Sequence, residues 1–161
     1  MIFCSKAQIE SATVCEMKKT LQHYIQLVTL NIFVLPVTIY LIVMHYKPEL
    51  SDFCTFGEAF NCDIVNKSIY AEMFGIPVSI LGLLTYIALL LFSIRGKFKD
   101  QTKLIPYVTA FVFVGFLFSL RLTYIEAFVL RTWCMLCVIS QIVIFLQLLI
   151  FTHLWKITKK S

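Results

Sequence analysis

The chain has 161 residues, of which 60% are hydrophobic and 14% are charged, and its mean hydropathy is +0.86. A soluble domain is typically about 45–50% apolar and about 25% charged. The composition therefore excludes an ordinary soluble domain and indicates a small integral membrane protein. The net charge of +5 has the sign found in nucleic-acid-binding proteins, but its distribution along the chain points to membrane orientation, and no nucleic-acid partner is expected.

Four apolar segments follow one another along the chain, at roughly 21–44, 76–94, 104–125 and 133–155. Each is close to the ~20 residues that a helix needs to cross about 30 Å of hydrocarbon. Lipid offers no partner to an unpaired backbone amide, so each span is expected to be helical. The sequence predicts an all-α membrane protein, a four-transmembrane-helix bundle that forms a single domain over residues 1–161, with 1–20 as a tail.

The Lys and Arg residues are distributed unequally between the two sides of these spans. Ten of the 14 fall on the side of the termini and of the loop "RGKFKDQTK", and three fall on the other side. By the positive-inside rule, both termini and that loop are expected to be cytoplasmic, with loops 45–75 and 126–132 outside. The first span is too long for a cleaved signal peptide. Because "MKKTLQHYIQLVTL" also has the form of a chain start, residues 1–16 are either an upstream extension or a short cytoplasmic tail.

This topology divides the six cysteines into two groups. Two fall on the cytoplasmic side, where thiols usually stay reduced, and their role stays open. Four fall on the outer side, where disulfides are permitted, two in each outer loop region. The cytoplasmic two are Cys4 and Cys15, and the outer four are Cys54, Cys62, Cys134 and Cys137.

Cys134 and Cys137 form a Cys-x-x-Cys pair where the fourth apolar run begins. At this spacing the two side chains share one helix face. In the first turn of a helix, the free amides and the positive end of the dipole stabilise a thiolate. The position favours a redox couple. A structural zinc pair and an inert buried pair are the alternatives.

Cys54 and Cys62 enclose the segment "CTFGEAFNC". A disulfide needs Cα atoms within about 4.4–6.8 Å, so this segment must fold back or coil. A short interfacial helix with its phenylalanines toward lipid is expected here. The pair is interpreted as a shuttle that exchanges disulfides with the helix pair; a plain structural staple and a four-cysteine zinc site are the alternatives.

Electrons delivered to these cysteines need an acceptor. The sequence carries no haem, flavin or iron–sulfur motif. A quinone dissolved in the bilayer is the expected acceptor, since a four-helix bundle can hold its ring between helices. No metal is expected.

The segments "FCTFGEAFNCDIVNKSIYAEMFGIPVSILGLLTY" and "WCMLCV" carry a family resemblance. The chain resembles the vitamin K epoxide reductase (VKOR) family, and in particular its bacterial disulfide-forming branch, whose function is DsbB-like. The shared pattern is C-x7-C, a serine six residues on, F-G-I-P-V, and C-x-x-C on the last helix. DsbB itself carries its C-x-x-C in the first outer loop, so the order of motifs here fits VKOR better.

The resemblance implies a role for each of the outer cysteines. Cys134 and Cys137 would be the active pair, with Cys137 facing a quinone of ubiquinone, menaquinone or vitamin K type. Cys54 and Cys62 would be the shuttle pair, one of which links to Cys134. Ser68 matches the family's serine near the quinone, with a helix-cap role as its alternative.

Two positions depart from the vertebrate branch, which carries an asparagine near Val78 and a tyrosine at Gln141. Both are quinone-contacting positions there, so the departures favour the bacterial role. The implied function is a quinone-dependent thiol oxidase in the bacterial inner membrane, with its site on the periplasmic face and a separate thioredoxin-fold (DsbA-like) partner. A vitamin K epoxide reductase of the endoplasmic reticulum and a non-enzymatic, disulfide-stapled scaffold are the alternatives.

Overall fold

The structure is a computed structural model that describes residues 9–47, 60–73, 75–98 and 102–160. Four of its helices are long and apolar enough to cross a membrane, which confirms the predicted all-α, four-span fold. A short helix lies between the first and second spans. The helices are α1 (Ile9–Tyr46), α2 (Cys62–Asn66), α3 (Val78–Phe98), α4 (Ile105–Ile125) and α5 (Met135–Lys160).

The helix ends differ from the expected ones where the local sequence changes. α1 begins at Ile9, so much of the predicted tail continues the first membrane helix. α3 begins only at Val78, because a two-stranded hairpin of β1 (Glu72–Met73) and β2 (Ile76–Pro77) precedes it. Gly75 lies in the turn with φ of 77°, a conformation that glycine adopts at little cost.

α1 packs against both α3 and α5, and α5 packs against α4, whereas α3 and α4 make few contacts with each other. The bundle therefore has a loose seam between α3 and α4. The main core cluster lies in the half of the bundle away from the cysteine pair. It is formed by side chains from all four long helices: Tyr24, Leu27, Leu89, Ile105, Val112, Ile144, Leu148, Phe151 and Leu154.

One polar pair crosses this apolar interior. The Nε2 amide of Gln147 on α5 donates to Oδ1 of Asn31 on α1 at 3.1 Å, and Asn31 Nδ2 donates to the Leu27 carbonyl at 2.8 Å. Both side chains are fully buried. Since hydrocarbon cannot satisfy polar atoms, the pair disfavours any other register of α1 against α5.

The loop segment that carries α2 is tied to the end of α1. Asn61 caps α2 with its side-chain oxygen. Asn66, the last residue of α2, donates from Nδ2 to the Leu41 carbonyl at 2.6 Å, and its own carbonyl accepts from His45 Nδ1 at 2.8 Å. His45 Nε2 lies 3.5 Å from the Glu72 carboxylate. These contacts dock α2 over the end of the bundle.

Candidate functional site

Cys134 and Cys137 form a disulfide with Cα atoms 5.2 Å apart. Both were expected in the first turn of the last helix, but α5 begins at Met135, so Cys134 precedes it. The reason is a capping contact: the Cys137 N–H donates to Cys134 Sγ at 3.2 Å, as the third amide of a helix donates to a capping side chain. With both sulfurs in one S–S bond, neither acts as a zinc thiolate here.

The two sulfurs of this pair face different surroundings. Cys137 is partly exposed and lines an intramembrane cavity. Cys134 is 0% exposed and lies in an apolar cluster with Cys62, which is also 0% exposed, and with Leu41 and Met44. The disulfide therefore connects the cavity on one side with the loop cysteine's environment on the other.

The loop chain is held directly against the residue before this pair. Phe60 forms a parallel bridge with Trp133, and the Asn61 N–H donates to the Trp133 carbonyl at 3.2 Å. Phe60 is thus in extended chain, not in the interfacial helix predicted for 54–62. Residues 54–59 of that segment, with Cys54, lie outside the described residues. Cys62 is disulfide-bonded, and its predicted pairing with Cys54 stays a prediction.

The cavity has a volume of about 210 Å³ and lies where the seam between α3 and α4 meets α1 and α5. An apolar cavity of about 150 Å³ is enough to bind benzene, so this space suffices for a six-membered ring. Most of its exposed wall is apolar, but twelve of the residues that line it carry a polar side-chain group: Thr38, Asn66, Ser68, Tyr70, Ser79, Thr85, Tyr86, Ser119, Thr123, Glu126, Ser140 and Gln141.

All four predicted quinone contacts, Ser68, Val78, Cys137 and Gln141, line this cavity. Two of them already have partners inside the protein. The Ser68 hydroxyl donates to the Val65 carbonyl at 2.8 Å, and the Gln141 side-chain oxygen accepts from the Thr123 hydroxyl. Their role as quinone contacts stays a prediction, and the sequence did not indicate which of their polar atoms are already engaged.

Ser79 is a cavity residue that sequence reasoning missed. Its hydroxyl is buried and has no hydrogen-bond partner among the described residues. A buried hydroxyl without a partner costs free energy unless a ligand or water satisfies it. Nothing in the sequence distinguishes Ser79 from other membrane serines, because the distinction is which neighbours surround its Oγ.

Glu126 is the second residue that was missed. α4 continues past Ile125 into a π-helical turn, Glu126–Leu130, which ends at Arg131 with φ of 51°. π-helical turns are often found at functional sites. Glu126 is 3% exposed, lines the cavity, and accepts a hydrogen bond at Oε2 from the Cys134 N–H at 3.1 Å. It was assigned to the outer loop because the predicted third span stopped at 125; a carboxylate within a span would have been a functional candidate.

Four membrane-spanning helices, with a cysteine disulfide at the head of the last helix and an intramembrane cavity beside it, define a membrane-embedded thiol–disulfide protein. Residues 25–152 match the model of the Vitamin K epoxide reductase family. The chain belongs to that family, which confirms the resemblance seen in the motifs. Membership implies an integral membrane oxidoreductase of a quinone-linked, thiol-handling kind. Among the described residues, no group of three His, Cys, Asp or Glu side chains is arranged to hold a metal.

Proposed function

We propose that this protein oxidises a thioredoxin-fold partner outside the cytoplasm and passes the two electrons to a membrane quinone. One observation carries the proposal: the Cys134–Cys137 disulfide has Cys137 at the cavity and Cys134 in the same buried cluster as Cys62. A thiol relay needs one cysteine that meets the incoming thiol and another that meets the acceptor. The two different environments of Cys134 and Cys137 support such a division of roles.

Within the relay, we assign Cys62 as the loop cysteine that exchanges with Cys134. Both lie in one apolar cluster, and the Phe60–Trp133 bridge holds their chain segments side by side. A Cys62 thiolate would attack Cys134 Sγ and release Cys137 as a thiolate. Cys54 would then attack Cys62 and restore the loop disulfide, after receiving its own electrons from the partner.

When the pair is reduced, the protein stabilises charge at its sulfurs. The Cys137 N–H that donates to Cys134 Sγ, together with the N-terminal end of α5, favours a thiolate over a thiol. A more stable thiolate is a better leaving group in disulfide exchange. The capping contact therefore favours release of Cys134 when the relay runs forward.

The cavity residues fit a quinone head group. Val78 and other apolar side chains form its walls, and the buried, unpartnered Ser79 hydroxyl supplies a donor that a carbonyl oxygen would satisfy. A quinone held by these residues would supply a two-electron acceptor in the cavity that Cys137 lines. Ser68 and Gln141 line the same space and shape it with side chains that are already hydrogen-bonded within the protein.

Two sequence positions support the bacterial role over epoxide reduction. Val78 and Gln141, the two positions that depart from the vertebrate branch, both line the cavity. A valine cannot donate a hydrogen bond, so one polar contact of the vertebrate branch has no counterpart there. The proposed location is the bacterial inner membrane, with the cysteines on the periplasmic face and the partner a separate protein.

The testing experiment measures quinone reduction by the purified protein in detergent. A reduced thioredoxin-fold protein or dithiothreitol serves as donor, and a short-chain ubiquinone or menaquinone as acceptor. Wild type should turn over, and Cys137→Ala should be inactive with both donors. Cys54→Ala should lose the protein donor but keep dithiothreitol. Turnover of vitamin K epoxide instead of quinone would favour the reductase role, and no turnover of either would contradict the proposal.

Ser79→Ala and Ser68→Ala form a matched pair for the acceptor site. Loss of one neutral hydrogen bond costs about 0.5–1.5 kcal/mol, so Ser79→Ala should raise the KM for quinone by about 2- to 13-fold. Ser68→Ala should leave it nearly unchanged, because that hydroxyl already donates to Val65. The opposite ranking would assign the quinone contact to Ser68.

A further inference from the structure

Glu126 combines burial, a cavity position and contact with the active pair. Its side chain is 3% exposed, and its Oε2 is held 3.1 Å from the backbone nitrogen of Cys134. It is the one carboxylate among the described residues that line the cavity. No Lys, Arg or His in the described part of the chain forms an ion pair with it; the ion pairs there join His45 to Glu72 and Lys67 to Asp63.

A purely structural role does not explain why this residue is an acid. Accepting one backbone N–H requires only an oxygen, and a glutamine amide would supply it without the cost of burying an ionisable group in a membrane protein. What a carboxylate adds to that hydrogen bond is the capacity to take up and release a proton. Because the Glu126 carboxylate contacts the backbone of Cys134, the proton in question is that of the thiol that Cys134 carries when the disulfide is reduced.

Oxidation of the pair must dispose of two protons. Two S–H bonds break and one S–S bond forms, while two electrons and two protons pass to the acceptor, in the proposed function a quinone that becomes a hydroquinone. Cys137 lines the cavity, so its proton can leave there. Cys134 is 0% exposed, and its proton needs a carrier to reach the cavity.

We propose that Glu126 is that carrier. Its carboxylate takes the proton of the Cys134 thiol as the Cys134–Cys137 disulfide forms and releases it to the cavity; on reduction of the disulfide, the same group returns a proton to Cys134. This inference rests on the proposed thiol–quinone function for its acceptor. The proton transfer between Glu126 and the Cys134 thiol involves only residues of this chain, so it can be measured without a quinone.

The test compares Glu126→Gln, which keeps a hydrogen-bond acceptor for the Cys134 amide, with Glu126→Ala, which leaves space for a small acid. Glu72→Gln is the matched control, since Glu72 is an exposed glutamate outside the cavity. Its contact with His45 holds the loop segment, whose cysteines are not needed when dithiothreitol is the donor. Two rates are measured on full-length protein. One is the reduction of a short-chain quinone with dithiothreitol as donor. The other is the quinone-free reduction of the Cys134–Cys137 disulfide by dithiothreitol, followed by acid quench, alkylation and mass spectrometry.

Glu126→Gln should slow both rates by about 10²-fold, the lower end of the usual contribution of a general acid or base, with an unchanged midpoint of thermal unfolding. Glu72→Gln should match wild type. Added formate should restore part of both rates in Glu126→Ala, because it can occupy the vacated space and carry the proton. A purely structural role would leave Glu126→Gln at the wild-type rates, because the glutamine oxygen still accepts from the Cys134 N–H.

The remaining outcomes would refute the proton-carrier role of Glu126 or separate it from the proposed quinone function. Wild-type rates in Glu126→Gln would overturn the proposal, as would a loss in Glu126→Ala that formate does not restore. Slow quinone reduction with a normal quinone-free rate would place Glu126 on the acceptor side and refute its role at the Cys134 thiol. If wild type reduces no quinone but Glu126→Gln still slows the dithiothreitol reaction, the proposed function fails and the proton carrier stands.

Discussion

Removing the Asn66 side chain should loosen the loop that presents Cys62. Asn66→Ala deletes the hydrogen bond from Nδ2 to the Leu41 carbonyl but keeps the backbone contact with His45. The Leu41 carbonyl retains its helical N–H donor in α1, so no acceptor is left unsatisfied. The expected loss of docking free energy is therefore that of one neutral hydrogen bond, about 0.5–1.5 kcal/mol.

That loss converts into a measurable rate of labelling. Cys62 is 0% exposed, so a maleimide can reach its reduced thiol only when the α2 segment opens. Opening should become about 2- to 13-fold more frequent, since 1.4 kcal/mol is a factor of ten, and the labelling rate of Cys62 should rise by that factor. The assay reduces the protein fully, removes the reductant, and follows alkylation of the Cys62 peptide by mass spectrometry.

Lys67→Gln is the control for this measurement. It breaks the ion pair between Lys67 and Asp63 at the surface of the same segment, and exposed pairs of this kind contribute about 0–1 kcal/mol. Its labelling rate should stay near that of wild type. If Asn66→Ala labels no faster than Lys67→Gln, the Asn66–Leu41 bond does not hold the loop, and the reasoning is refuted.

Two further predictions concern helix packing. Asn31→Leu alone should destabilise the bundle by about 1–3 kcal/mol, because it leaves the buried Gln147 amide without its hydrogen-bond partner. In thermal unfolding, the double variant with Gln147→Leu should recover most of this stability. Additive losses of stability in the double variant would contradict the pairing. Gly96→Ala should destabilise by about 1–3 kcal/mol, because an added Cβ overlaps the Tyr24 ring. Gly82→Ala, where the nearest atom to an added Cβ is 3.9 Å away, should be neutral or stabilising, and equal effects at both glycines would refute the argument.

The fold was predictable because its physical signals are long and redundant. Each span is an apolar run near the length that hydrocarbon requires, and backbone hydrogen bonding leaves only the helix as a solution. Span ends were less predictable. The start of α3 depends on a hairpin at Gly75, and the end of α4 on a π-helical turn at Glu126, neither of which hydropathy reports.

For the candidate site, the sequence supplied residues to consider but could not specify their contacts. Motif matching predicted a redox role for Cys134 and Cys137 and a quinone contact at Ser68, which lines the cavity. It could not show that the Ser68 hydroxyl is already engaged with Val65 while that of Ser79 has no partner. Such distinctions depend on contacts between distant segments of the chain, for which a single sequence carries no periodic signal.

The loose seam between α3 and α4 affects the units in which the affinity of the cavity for a lipophilic ligand should be expressed. Because the cavity borders this seam, we expect a lipophilic ligand to enter it from the acyl-chain phase and not from buffer. A lipophilic ligand is concentrated in that phase by about 0.8 kcal/mol for each CH₂ it buries. Apparent constants given per litre of buffer will therefore change with the amount of lipid or detergent present, and mole fractions in the hydrophobic phase are the scale on which variants can be compared.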